Sequence, residues 1–171
     1  MPESSLREEI LDRIENDAFD YEKDSHGCSR CVFKALQDNL TLKGGPAALK
    51  ASTPLAAGVA MQGEICGALL GGLLAIGIVT ASEDFEETDA LTDSLAAGFR
   101  LVKKVEREFG TTNCIEIQTK KLGRSYRLTD PKEYEKFIRA KDYAECPKVV
   151  GKIARITAEF ILDYQSKKTK R

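Results

Sequence analysis

Gly63-Glu64-Ile65-Cys66-Gly67-Ala68-Leu69-Leu70-Gly71-Gly72-Leu73-Leu74-Ala75-Ile76-Gly77-Ile78-Val79-Thr80 decides the fold. No charged residue follows Glu64 until Glu83, so the stretch is buried on every side, in a protein core or in a bilayer. A membrane span needs about 20 mostly apolar residues. Here four glycines interrupt a shorter run, and the acidic residues Glu83, Asp84, Glu86 and Glu87 come soon after it. The reading is a central buried helix beginning near Gly63 or Glu64. Gly63, Gly67 and Gly71 recur every four residues as a strip without side chains, which lets a neighbouring backbone approach or leaves room for a bulky group.

Outward from that helix the periodicity is helical throughout. Leu6, Ile10, Leu11 and Ile14 step at helical spacing behind Ser4 or Ser5 as caps, within an acidic segment of about residues 1–24. Cys31 through Leu40 carries Val32, Ala35, Leu36 and Leu40 on one side and ends before the break Gly44-Gly45-Pro46. Residues 52–63 are small and flexible. Leu91, Leu95, Gly98, Val102, Val105 and Phe109 form an amphipathic stripe between the cap Thr88 and the terminator Gly110. The segment 116–128 reads as irregular or helical, Pro131 to Arg139 as a helix, and Cys146-Pro147 as the start of a last helix burying Val149, Val150, Ile153, Ile156, Phe160 and Ile161. The expectation is an all-α single domain over 1–171: a compact bundle of five or six helices around the central glycine-rich one, with a disordered basic tail from about 165 to 171.

The 171 residues include 26 basic and 27 acidic ones without a long central basic patch, which argues against a nucleic-acid partner. The N-terminus lacks the basic start and apolar core of a signal peptide, so the expected compartment is the cytoplasm, with no membrane partner. Five cysteines in a reducing compartment are a poor disulfide framework. They remain as free thiols, a transient disulfide or metal ligands.

The cysteines carry the chemistry. Cys28 and Cys31 form a C-x-x-C pair, a spacing used by dithiol couples and by half of a zinc or iron–sulfur site. Cys31, Cys66 and Cys146 each fall where a helix is expected to begin, and the partial positive charge there predicts lowered thiol pKa values. Cys31, Cys66, Cys114 and Cys146 are therefore the candidate catalytic thiols. With Cys28 they are the candidate metal ligands, and Gly63, Gly67 and Gly71 are the candidate residues making room for a cofactor. His26, the only histidine, reads as a solvated loop residue. No G-x-S-x-G or H-E-x-x-H run exists, and the glycine pairs follow no expected strand, which excludes the usual hydrolase and nucleotide-binding signatures.

This arrangement resembles the C_GCAxxG_C_C family of redox-active proteins. Gly58-Val59-Ala60-Met61-Gln62-Gly63 aligns with the GCAxxG element, with Val59 where the family has cysteine, and Glu64-Ile65-Cys66-Gly67-Ala68-Leu69-Leu70-Gly71 continues it. Cys31 would be the leading cysteine, and Cys114 and Cys146 the trailing ones, over residues 28 to 162. The resemblance implies a small helical cytoplasmic protein of microbial type with redox activity. The leading expectation is thiol–disulfide cycling, or electron transfer through a cysteine-ligated iron–sulfur cluster, with a redox partner protein. A zinc-binding module without catalysis and a helical interaction protein, dimeric through the glycine-lined helix, are the competing classes.

Overall fold

The computed structural model describes residues 3–140 and 143–169, and among them every regular element is helical. The elements are α1 (Glu3–Ser25), α2 (Cys28–Asn39), α3 (Gly45–Ser52) with a 3-10 turn at Thr53–Leu55, α4 (Gly67–Thr80), α5 (Thr88–Phe109), α6 (Cys114–Leu122), α7 (Pro131–Ile138) and α8 (Glu145–Thr169). Among the described residues there are eight α-helices where five or six were expected. Periodicity missed α3, which is too short for an apolar stripe to repeat, and α6 resolves as helical the first part of the segment that the sequence leaves as irregular or helical. Gly44-Gly45-Pro46 is a boundary as expected, but Gly44 adopts φ +100° and Pro46 lies in the first turn of α3, so the break also starts a helix.

α4 packs against α2, α5 and α8, while α1 lies along α8 and α2. The core lies between them, with Phe33, Leu36, Leu69, Ile76, Leu101, Ile153 and Ile161 essentially without solvent contact. Among the described residues no helix is long and apolar enough to cross a membrane. Arg155 of α8 ties α1 to this core, pairing with Glu8 at 2.5 Å and Asp12 at 2.6 Å. α8 continues to Thr169, past the start of the expected basic tail, whose last residues Lys170 and Arg171 lie outside the described ones, as do Met1 and Pro2 of the acidic N-terminal segment.

Two expectations about α4 and α5 change, and of the two readings of the glycine strip it is the close approach of a neighbouring backbone that is seen. α4 begins at Gly67, because Ile65 bridges to Asn113 and holds the preceding residues extended. The room left by the glycine strip is filled by protein atoms: Gly63 faces Ile115, Gly67 faces Cys28 Sγ and the Leu55 carbonyl, and Gly71 lies against the Ser29 backbone. On α5 the buried stripe is Ala97, Leu101 and Val105, whereas Leu91 and Leu95 are exposed.

Candidate functional site

Four helix starts point into one cavity of about 280 Å³. Gly27, at φ +95°, turns the chain so that α2 begins at Cys28 and not, as periodicity alone suggests, at Cys31. Cys66 is the N-cap residue of α4 and Cys114 the first residue of α6. Their segments are laced together, since Cys66 N–H donates to the Thr112 carbonyl at 2.8 Å and Cys114 N–H to the Glu64 carbonyl at 2.6 Å. Cys146 comes from the first turn of α8. Cys28, Cys66, Cys114 and Cys146 all line the cavity, and all five cysteines are free thiols. Cys31 does not line it. It lies one turn deeper on α2, 2% exposed, with its Sγ donating to the His26 carbonyl at 3.5 Å.

A left-handed turn forms the outer wall. Ala57, Gly58, Val59, Ala60 and Met61 have φ of +56°, +70°, +63°, +49° and +64° in succession. Such a conformation costs about 1–2 kcal/mol for each residue with a Cβ, so it persists only where its surroundings hold it. Ala60 N–H donates to the Pro54 carbonyl at 2.8 Å and Glu64 N–H to the Gly58 carbonyl at 3.0 Å. Ala57 N–H points at Cys28 Sγ at 3.5 Å, which ties the strained turn to one of the thiols. Ala57, Ala60 and Met61 line the cavity. Val59 is not among the lining residues and is 39% exposed.

The rest of the wall is mostly apolar, with Ile117, Leu128, Phe137, Val149 and Val150, but Thr53, Gln118, Tyr134 and Tyr143 also line it, and Glu22 is its one carboxyl group. Glu22, near the end of α1, is 5% exposed, and its Oε2 has no hydrogen-bond partner. Burial raises its pKa from 4.5 to about 7, against the opposing pull of the nearby Cys31 thiol and the Arg30 charge. Sequence reasoning missed Glu22. It also read His26 as solvated, whereas His26 is half-buried with Nδ1 2.7 Å from the Tyr143 hydroxyl, which in turn donates to the Glu22 carbonyl at 3.4 Å.

The expected lowering of the thiol pKa values is reversed. Burial pushes the Cys66 thiol up to about 12. It also raises Cys28, Cys31, Cys114 and Cys146, and the Glu22 charge adds to each. The helix-terminus effect exists, since the N–H groups of Ala68 and Leu69 favour the Cys66 thiolate, but desolvation outweighs it. The cysteines are close enough for charge on one to raise others: Cys66 and Cys146 act on Cys28, and Cys114 acts on Cys66. Even so, among the described residues no three His, Cys, Asp or Glu side chains are placed to hold a metal ion. As placed, the donor set therefore does not fit a shared metal or cluster. It is a pocket of thiols held protonated by burial, with one buried carboxyl group whose pKa is raised to about 7.

No curated protein and no solved structure matches the chain. Residues 26–160 match the family model described as "Putative redox-active protein (C_GCAxxG_C_C)", and over that span, which is most of its length, the chain belongs to the C_GCAxxG_C_C family.

Proposed function

We propose that the chain is a thiol–disulfide redox protein whose working thiols are Cys28, Cys66, Cys114 and Cys146. The observation that carries this reading is the meeting of these four cysteines, from four separate helices, in one buried cavity. Cys28 and Cys66 are the pair that closes first, because Cys28 Sγ packs on Gly67, the residue after Cys66. Cys31 has a supporting place beneath them. In this reading the family motif's cysteine is Cys66, in the run Cys66-Gly67-Ala68-Leu69-Leu70-Gly71, since Val59 stands outside the cavity lining.

The chemistry is a two-electron exchange. One thiol gives its proton to the Glu22 carboxylate and attacks a sulfur of an external disulfide, so that a mixed disulfide forms, the external S–S bond breaks and the first leaving thiolate departs, taking that proton back from Glu22. The second protein thiol then attacks the mixed disulfide, giving a protein disulfide and releasing the second leaving thiol. The protein loses two electrons and two protons, and the external disulfide gains them. Because burial keeps the resting thiols protonated, the step needs a base that is ionised near neutral pH, and what supports Glu22 in that role is that it is the one carboxyl group lining the cavity.

The reading is tested by treating the reduced protein with a small disulfide, counting free thiols, and measuring iron and the visible spectrum of protein prepared without oxygen. A colourless protein that loses two thiols and regains them on reduction is the expected result. Stoichiometric iron with visible absorbance would replace thiol exchange by a metal centre.

Glu22→Gln checks the base and carries its own pH signature. A carboxyl group whose folded pKa lies above its unfolded value favours the folded state when protonated. Its contribution is present below pH 4.5 and is lost as the pH rises to about 7. Glu22→Gln, which mimics the protonated form, is therefore expected to be more stable than the parent at pH 8, by at most about 3 kcal/mol. Urea unfolding should show that advantage shrinking to nothing towards pH 4, while oxidation of the thiols at pH 7 slows.

A further inference from the structure

The thiol cavity has one exposed rim. Among its described lining residues Thr53, Pro54, Ala60 and Met61 are exposed, and the others are buried or half-buried. The mouth therefore lies where the 3-10 turn meets the left-handed turn, and these four residues carry no charge. Cys28 is the thiol beside it. It is half-buried, and its Sγ accepts the N–H of Ala57, from that same left-handed turn, at 3.5 Å. Cys66 is more deeply buried, at 6% exposure.

The lining decides what can enter. Among the described lining residues Glu22 is the one carboxyl group, and there is no lysine or arginine to receive an anion. Thr53, Gln118, Tyr134 and Tyr143 are neutral, and His26 has its Nδ1 on the Tyr143 hydroxyl at 2.7 Å. An anion would lose its hydration, gain no cationic partner and meet the Glu22 charge. A cation would find that one carboxylate but would give up its water to mostly apolar walls. An uncharged molecule incurs neither cost. A cavity of about 280 Å³ also limits the occupant to a small molecule. The formal net charge of the chain is only -1, so selection against anions would arise in the cavity and not from the field of the whole protein.

We propose that the substrate class of the thiol site is a small, uncharged, largely apolar disulfide, which enters between Pro54 and Met61 and meets Cys28 first. The proposal rests on the thiol–disulfide reading of the site. Cys28 Sγ bonds to one sulfur of the substrate, the substrate S–S bond breaks, and the other half leaves as a thiolate that takes up the proton Cys28 gave away. Cys66 displaces the bound half in the same manner. Two protein thiols become one disulfide and the external disulfide becomes two thiols, with two electrons and two protons passing to it.

Thiol loss by the reduced full chain is followed at neutral pH with hydroxyethyl disulfide, which is neutral, dithiodipropionate, which is anionic, and cystamine, which is cationic. Each rate is divided by the rate of the same disulfide with mercaptoethanol, which removes intrinsic reactivity. The neutral disulfide is expected to lead the anionic one by about tenfold or more. Met61→Lys places a cation at the mouth on a side chain already 44% exposed, and should shrink that lead several-fold with helix content unchanged. Equal normalised rates for the neutral and anionic disulfides would overturn the proposal while leaving thiol exchange standing, and so would a lead for cystamine. An unchanged lead in Met61→Lys would overturn the entry between Pro54 and Met61. No thiol loss with any of the three would end the thiol–disulfide reading itself, and the proposal with it.

Discussion

Gly71→Ala is expected to destabilise the protein by about 3 kcal/mol or more, although alanine is the better helix former by about 1 kcal/mol. Gly71 lies in the middle of α4, where an added Cβ would collide with the Ser29 carbonyl oxygen and stand 2.9 Å from its carbon. These are backbone atoms of α2, so no side-chain rotation relieves the contact. Nor can α2 slip away cheaply, because the buried Ser29 Oγ donates to the Ser52 carbonyl at 2.7 Å. Ser29 follows Cys28, so a shift of α2 also moves a working thiol, and the variant should lose reversible oxidation along with stability. Gly77→Ala is the control, since nothing lies within 4 Å of a Cβ there. It should gain stability by up to about 1 kcal/mol in urea unfolding. Equal stability of the two variants would contradict the close packing of α4 on α2.

The second large effect is loss of function without loss of fold. Cys66→Ser is expected to abolish two-thiol oxidation, whereas Cys31→Ser leaves it in place, because Cys66 is in the cavity wall and Cys31 is not. Serine is close in size to cysteine, so the core changes little in volume, and circular dichroism should report the same helix content for both. The C-x-x-C reading makes the opposite prediction, with Cys31 as half of the couple. Comparing the two variants under one oxidant separates these readings. Oxidation that survives Cys66→Ser and fails in Cys31→Ser would move the couple to Cys28 and Cys31.

Cys66, Cys114 and Cys146 were legible as a set because each stands at the edge of an apolar pattern, and helix starts are where a chain can aim side chains into a shared space. The choice between Cys28 and Cys31 turned on one residue. Gly27 takes a left-handed φ and starts α2 three residues earlier than the apolar pattern does, which aims Cys28 at the cavity and buries Cys31 beneath it. Glu22 carries no local signal. It sits among Asp17, Asp20 and Asp24 on an acidic helix, and only the tertiary packing of the end of α1 makes it the buried member of that group. The left-handed turn at residues 57–61 is equally silent, since four of its five residues have side chains that disfavour positive φ, and only the surrounding hydrogen bonds impose it. On α5 the sequence holds two apolar stripes, Leu91 with Leu95 and Ala97 with Leu101 and Val105, and periodicity alone does not say which one the core takes. The direction of the thiol shifts was missed for a related reason. Helix starts favour thiolates, but the depth of the pocket, which no local pattern encodes, decides the sign.

Which sulfurs join decides the function. After mild oxidation of the native protein, free thiols are blocked, the chain is digested, and linked peptides are identified by mass spectrometry. The predicted result is a reversible Cys28–Cys66 link with Cys31 recovered in the blocked form. A link through Cys31, or five thiols that remain free under an oxidant that equilibrates with protein dithiols, would contradict it.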